Sequence, residues 1–378
     1  MIRAIDIRLL GKQRTGDESV FFHLTKEILK KDTTHTYFLM TDERDPQKIA
    51  LLQARLECVG QKNVRFVPLY GRNRFVWNLV TLPWFLFTEH VDTYHTQYIL
   101  PFFIPSTTKV LLHIHDISFR IFPKLIGWKD RLFLSLLIPR SLRRADVILV
   151  PSQFTREEIV REYGIAPQKL AVIPNALGEN FLTERGVNGP DVRKKYALPE
   201  RFILYVGTLQ PRKNIPFLIE AVALLRKRVP DIRLVVVGNR KAHHVDPGID
   251  QVLNRTGMTD DVCFPGYIAE QDIASVLRHA TVFAFPSLYE GFGIPILEAL
   301  SQGIPVAASD IAPLREVAGD GAVYFDPRSI ASCEEKLYTL CTDSDQRTSG
   351  VSRGKNRVSL FSWEKSALAL LAVYTTLD

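Results

Sequence analysis

Short runs of β-branched and aromatic residues alternate with segments of helical periodicity, and the alternation is built twice along the chain. In the first half the runs are residues 2–7, 37–40, 64–68, 109–113 and 147–150. In the second they are residues 202–206, 233–237, 262–264, 282–285 and 305–308. Each is followed by a turn signal and then by apolar residues at helical spacing. Strands joined through helices pair in parallel, so the pattern predicts an α/β protein with two parallel sheets covered by helices. At 378 residues the chain is too long for one ordinary core, which again gives two domains.

The boundary is expected near residues 176–200. Asn175-Ala176 ends one α/β set, residues 186–190 carry Gly, Asn and Pro, and Arg201 opens the next set. Residues 1–184 and 185–360 are the two expected domains. A polar, turn-rich stretch around 343–357 precedes an apolar-periodic helix at residues 363–377.

Bulk composition excludes several classes. Hydrophobic content of 46% and charged content of 24% are ordinary for a soluble globular protein. The longest apolar stretch, residues 75–87, contains Asn78 and Pro83 and falls short of the ~20 apolar residues a membrane span needs. Four scattered cysteines (Cys58, Cys263, Cys333 and Cys341) show no metal-type pairing and fit a reduced, cytoplasmic setting. The net charge is +7, of which residues 1–184 carry +6. A basic first half suits an anionic membrane surface, a phosphorylated lipid or an anionic glycan, or is a solvated face.

The densest chemical signal is Glu290-Gly291-Phe292-Gly293-Ile294-Pro295-Ile296-Leu297-Glu298. Two glycines free the backbone where a helix begins, and Pro295 suits a first helical turn. Such a helix offers unpaired N–H groups and a positive dipole end to an anion. Glu290 precedes it and Glu298 lies about one turn inside it. A second signal is Tyr205-Val206-Gly207-Thr208-Leu209-Gln210-Pro211-Arg212-Lys213, where Gly207 ends a buried strand and two fixed cations follow. Two cations at a helix start are unfavourable unless an anion is near. A third is Leu111-Leu112-His113-Ile114-His115-Asp116, at the end of a strand in the first half.

Together these segments resemble the retaining glycosyltransferases of family 4, in order and spacing, over essentially the whole chain. The resemblance implies the GT-B fold: two Rossmann-like domains facing a cleft, with the carboxy-terminal helix (residues 361–378) crossing back to the first domain. It implies transfer of a hexose from a nucleoside diphosphate sugar to a hydroxyl acceptor with retained anomeric configuration. Arg212 and Lys213 match the diphosphate-binding loop, with Gly207 giving close backbone approach. His115-Asp116 matches the pair that faces the donor sugar. Glu290 and Glu298, with Gly291, Phe292, Gly293 and Ile294 between them, match the donor-binding signature. Gly16 closes a glycine-containing loop, Gly11-Lys12-Gln13-Arg14-Thr15-Gly16, near the donor phosphates. This loop departs from the family at Asp17-Glu18-Ser19. Tyr267 follows a strand in the loop that holds the nucleotide base. His115, Glu290, Arg212 and Lys213 are the expected catalytic set.

The general resemblance is to bacterial cell-surface polysaccharide enzymes, above all mannosyltransferases. GDP-mannose is the first expected donor and UDP-glucose the second. A glycan or lipid-linked saccharide is the expected acceptor. No cofactor or metal is required if the two cations and the helix end neutralise the diphosphate. The expected place is the cytoplasm, with peripheral attachment to the inner face of the plasma membrane.

Two other classes compete. His113 and His115 lie on one strand face and could ligate a metal in a hydrolase, although His113 reads better as a hydrogen-bonded core residue and His243-His244 sits in a polar loop. The positive charge alone admits a nucleic-acid-binding protein, but no helix-turn-helix, finger or aromatic–basic motif accompanies it. The dinucleotide fingerprint lacks its third glycine and a Walker loop is absent. Asp343-Ser344-Asp345 imitates a metal-binding Asp-x-Asp but reads as a solvated loop.

Overall fold

The computed structural model describes residues 1–12, 16–71, 73–123, 127–182, 192–242 and 244–378, without the side chains of Arg74 and Trp128. The linker expected at 186–190, residues 13–15 of the loop before Gly16, and His243 lie outside them. The chain divides into two compact units: Met1–Arg120 with Trp128–Asn175 and Ser362–Asp378, and Ile121–Gly127 with Ala176–Phe361.

The first unit is built on seven strands: β1 (Ile2–Asp6), β2 (Thr36–Thr41), β3 (Val64–Pro68), β4 (Thr93–Gln97), β5 (Lys109–His113), β6 (Val147–Val150) and β7 (Leu170–Val172). They form one parallel sheet in the order β3-β2-β1-β4-β5-β6-β7. Strands β4 and β7 were not expected from the sequence. The residues of β4, Thr-Tyr-His-Thr-Gln, lack an apolar run, yet four of the five are buried. Two of their polar atoms find partners inside: Thr96 donates to Asp6 at 3.3 Å, and His95 Nδ1 lies 2.9 Å from the Tyr374 hydroxyl.

The helix Trp363–Thr375 belongs to this first unit, as the resemblance implied. Trp363 stacks on His23 of the helix Gly16–Lys31 with ring centroids 5.2 Å apart, and the Ser366 hydroxyl donates to the Pro174 carbonyl at 2.6 Å. Arg3 in β1 is buried and needs anions. It has two, Asp32 at 2.7 Å and Asp378 at 2.6 Å. Burial pushes the Asp32 carboxyl up, but hydrogen bonds from Tyr37 and Thr34 prevail and hold it well below the usual range.

The second unit carries β8 (Phe202–Val206), β9 (Arg233–Val237), β10 (Val262–Gly266), β11 (Val282–Phe285), β12 (Val306–Ser309) and β13 (Ala322–Phe325). They pair in parallel in the order β10-β9-β8-β11-β12-β13. Here β13 was missed by the sequence reading. The expected turn-rich stretch at 343–357 is instead a helix, Ser344–Val358. One of its two glycines, Gly354, lets it pack closely. A Cβ on Gly354 would stand 2.6 Å from Leu300 Cδ2, and one on Gly321 would stand 2.8 Å from Gly354 Cα. Asp343, Ser344 and Asp345 are exposed, as a solvated run should be, but Ser344 and Asp345 lie in the first turn of this helix rather than in a loop, with Asp343 as its N-cap. The Asp343 carboxylate caps this helix, accepting the N–H groups of Asp345 and Gln346 at 2.9 Å each.

Candidate active site

In the second unit the expected residues gather at the carboxyl ends of β8 and β11, where ligands of open parallel sheets bind. Gly207 follows β8 directly. A Cβ there would come within 2.6 Å of the Tyr205 hydroxyl, which donates to the Thr208 carbonyl at 2.8 Å. Gly238, just past β9, is equally constrained: its Cβ would lie 2.5 Å from the Gly207 carbonyl oxygen. Two glycines thus let two strand ends run close together. The sequence reading missed Gly238, although a glycine directly after a buried valine run was the available signal.

The turn Pro211–Lys213 then directs both cations inward. Asn214 ends it in a left-handed conformation, φ +60°, and donates to the Pro327 carbonyl at 3.0 Å. The Leu288 amide donates to the Arg212 carbonyl at 2.8 Å, joining this turn to the loop after β11. Arg212 Nη1 reaches the Tyr289 carbonyl at 3.2 Å and Glu290 Oε2 at 3.4 Å. Lys213 Nζ is hydrogen-bonded to Glu290 Oε1, and its ammonium also sits 5.5 Å from the Phe285 ring centre. Ser287, which sequence reasoning did not single out, donates to Glu290 Oε1 at 2.7 Å. Burial pushes the Glu290 carboxyl up. Lys213, Arg212 and the Ser287 hydroxyl outweigh it and hold the group below its ordinary value. The cluster is therefore two cations around one carboxylate, with a net positive charge.

Gly293 precedes the helix Ile294–Ser301 with φ +109°, and a Cβ there would press on Leu314 Cδ2 at 2.9 Å. Only glycine fits this turn. Glu298 is half-buried, about one turn into the helix. Gly291 is buried and Ile294 packs against the core. The Phe292 ring is buried edge-on against Phe361, centroids 5.6 Å apart, so its backbone alone is left for a ligand. Tyr267 follows Gly266 (φ +78°) and is 77% exposed.

In the first unit His115 is buried at the end of β5. Its Nε2 lies 3.0 Å from Gln97 Oε1, and its Nδ1 lies 4.0 Å from Asp17 Oδ1. Gly16 begins the helix Gly16–Lys31, which brings Asp17 there. Asp116 turns away to accept the amide and hydroxyl of Ser118 at 2.9 and 2.8 Å. His115 stacks on His113, centroids 4.3 Å apart, and His113 stacks on His95 at 6.3 Å. Phe21 packs beside all three rings. His113 is a core residue, but it is not hydrogen-bonded as expected: neither ring nitrogen has a partner among the described residues. Burial lowers the His113 pKa well below its ordinary value and takes His95 down to about 3. Both are neutral near pH 7. Among the described residues no group of three or more His, Cys, Asp or Glu could hold a metal ion.

Comparison with known proteins bears on this geometry. Residues 15–178 match the sequence family described as Glycosyltransferase Family 4, and residues 190–357 match Glycosyl transferases group 1. The O-antigen chain mannosyltransferase B of Escherichia coli is 31% identical over 283 residues, covering 73% of each chain. The chain belongs to glycosyltransferase family 4. Another relative is the O-antigen chain mannosyltransferase RfbU of Salmonella typhimurium, 25% identical over 72% of this chain and 69% of its own. Among solved structures, sucrose-phosphate synthase from Thermosynechococcus elongatus superposes with a TM-score of 0.74 at 20% identity, covering 100% of this chain and 98% of its own. This family 4 member is thus a glycosyltransferase with two Rossmann-like units of the GT-B class.

Proposed function

We propose that this glycosyltransferase moves mannose from GDP-mannose to a hydroxyl of a glycan or lipid-linked acceptor in cell-surface polysaccharide synthesis, with retained anomeric configuration. The reading is carried by the Arg212–Lys213–Glu290 cluster at the carboxyl ends of β8 and β11. Arg212 and Lys213 bind the diphosphate oxygens, which gain negative charge as the sugar leaves. Glu290 accepts a hydrogen bond from a sugar hydroxyl, and Glu298 takes the ribose. By the family resemblance His115 serves the donor sugar, and Gln97 fixes its ring through Nε2. The leaving diphosphate oxygen removes the proton of the incoming hydroxyl on the same face. Two cations supply the positive charge, so the proposal includes no metal. The choice of mannose is supported by the relatives named as mannosyltransferases.

Attachment to an anionic membrane is part of the same reading. Among the described residues no helix is long and apolar enough to cross a membrane. Residues 75–88 carry no charged side chain, yet Val80, Trp84 and Phe87 stand exposed at helical spacing.

The test is a donor screen with GDP-mannose, UDP-glucose and other nucleotide sugars, with release of nucleoside diphosphate as readout. GDP release from GDP-mannose should exceed every other by at least about tenfold. Faster turnover of UDP-glucose would replace mannose with glucose, and an inverted product anomer by NMR would remove the retaining mechanism.

A further inference from the structure

A pocket of about 280 Å³ opens in the first unit at the carboxyl ends of β1, β2 and β4. Asp6, Arg8, Lys12, Asp42, Thr96 and Gln97 line it. Its position follows the rule for parallel sheets, and its wall is shared with His115 through the Gln97 amide.

The decisive feature is how the pocket's charges are used. Arg8 grips Asp6 with both ends of its fork, Nε to Oδ1 at 2.9 Å and Nη2 to Oδ2 at 2.6 Å. The Trp77 ring holds the guanidinium from another side, 4.4 Å from its centre. Asp6 is buried and also accepts from Thr96 at 3.3 Å. Lys12 pairs with Asp42 at 2.7 Å. Each cation therefore has its carboxylate within the same pocket, and the four charges cancel. A phosphate or carboxylate ligand would find no net positive charge there: it would either stand beside the Asp6 and Asp42 carboxylates or draw Arg8 away and leave Asp6 buried without its cation, and both are unfavourable. A neutral polyol meets no such conflict. Its hydroxyls can donate to the carboxylates and accept from the Arg8, Lys12 and Gln97 donors already in place.

We infer that this pocket holds a neutral hexose unit of the acceptor glycan and selects against phosphorylated or acidic sugars. The inference rests on the glycosyltransferase reading for the word acceptor, but the pocket's preference is independent of it. The basic character of the first half would by itself have suggested an anionic ligand, and the pairing reverses that expectation at this site.

Saturation-transfer NMR with methyl α-mannoside, mannose 6-phosphate and methyl glucuronide tests the preference directly, without donor. The neutral glycoside should bind at least about tenfold more tightly than either anion. Asp42→Asn leaves Lys12 without its carboxylate at an exposed position where folding tolerates the change, and should narrow that preference by about tenfold. Gln97→Ala should weaken the neutral glycoside. Equal or tighter binding of the anionic sugars to the parent protein overturns the inference, as does indifference of both variants, or no binding of the neutral glycoside. Donor hydrolysis is measured in parallel. Its absence with every nucleotide sugar removes the transferase reading and leaves the NMR result to judge the pocket. Its presence without the sugar preference removes only the pocket.

Discussion

Lys213 and Glu290 stand 77 positions apart in the chain and are ion-paired inside the second unit, each side chain about nine-tenths buried. A buried pair is weak evidence of stability, but removing one partner strands the other. Lys213→Ala should therefore lose stability as well as activity, by roughly 3–5 kcal/mol if Arg212 fails to compensate. Lys213→Met combined with Glu290→Gln should cost less than the two single changes summed. Chemical denaturation of the four proteins checks this, and strict additivity would deny the pairing.

The same pairing divides the roles of the two glutamates. Glu290→Gln frees both cations, so it should bind nucleoside diphosphate at least as tightly as the parent while transfer falls. Glu298→Gln should weaken nucleoside diphosphate by roughly the 1.5–3 kcal/mol of a charged hydrogen bond. Calorimetry beside turnover separates them. Loss of nucleotide affinity in the Glu290 variant would contradict its placement.

The histidine column predicts acid sensitivity. The folded-state pKa of His95 is about 3 against 6.5 ordinarily, and that of His113 is also well below 6.5. Between these values the unfolded chain binds protons that the folded protein refuses, so stability falls as pH drops below 6.5. Each group contributes a slope of roughly 1.4 kcal/mol per pH unit at most. His113→Phe should flatten the melting temperature between pH 6.5 and 4. An unchanged pH profile would mean that the ring is not buried neutral.

Gly238→Ala places a methyl 2.5 Å from a backbone oxygen that cannot move aside like a side chain. A destabilisation of roughly 1–3 kcal/mol is expected, with lost donor binding as the β8 and β9 ends part. Thermal melts and nucleotide calorimetry on the variant read both effects.

The parallel strands with apolar runs and the Gly293–Pro295 helix start were legible because their signals are local. Strand β4 was not, because its Thr96, His95 and Gln97 side chains find their partners in Asp6, Tyr374 and His115, outside the strand. The helix Ser344–Val358 was hidden by Gly350 and Gly354, the second of which serves close packing against Leu300 and Gly321. His113 and His115 could be placed on one face by counting alone. The third ring of the column, His95, arrives through sheet register, with Gln97 opposite His113 in the neighbouring strand. The Lys213–Glu290 pair was likewise beyond reach. Each residue was singled out for a ligand, and nothing local says that they neutralise one another.

Arg3, in the first strand, takes its second anion from Asp378, and the last helix of the first unit follows the whole second unit in sequence. A ribosome making this chain delivers the seven strands of the first sheet early and the helix that seals them late. Until residues 362–378 emerge, a buried guanidinium holds only one of its two carboxylates and the His23 face lacks Trp363. The nascent first unit must wait, partly closed, through the synthesis of the entire second one.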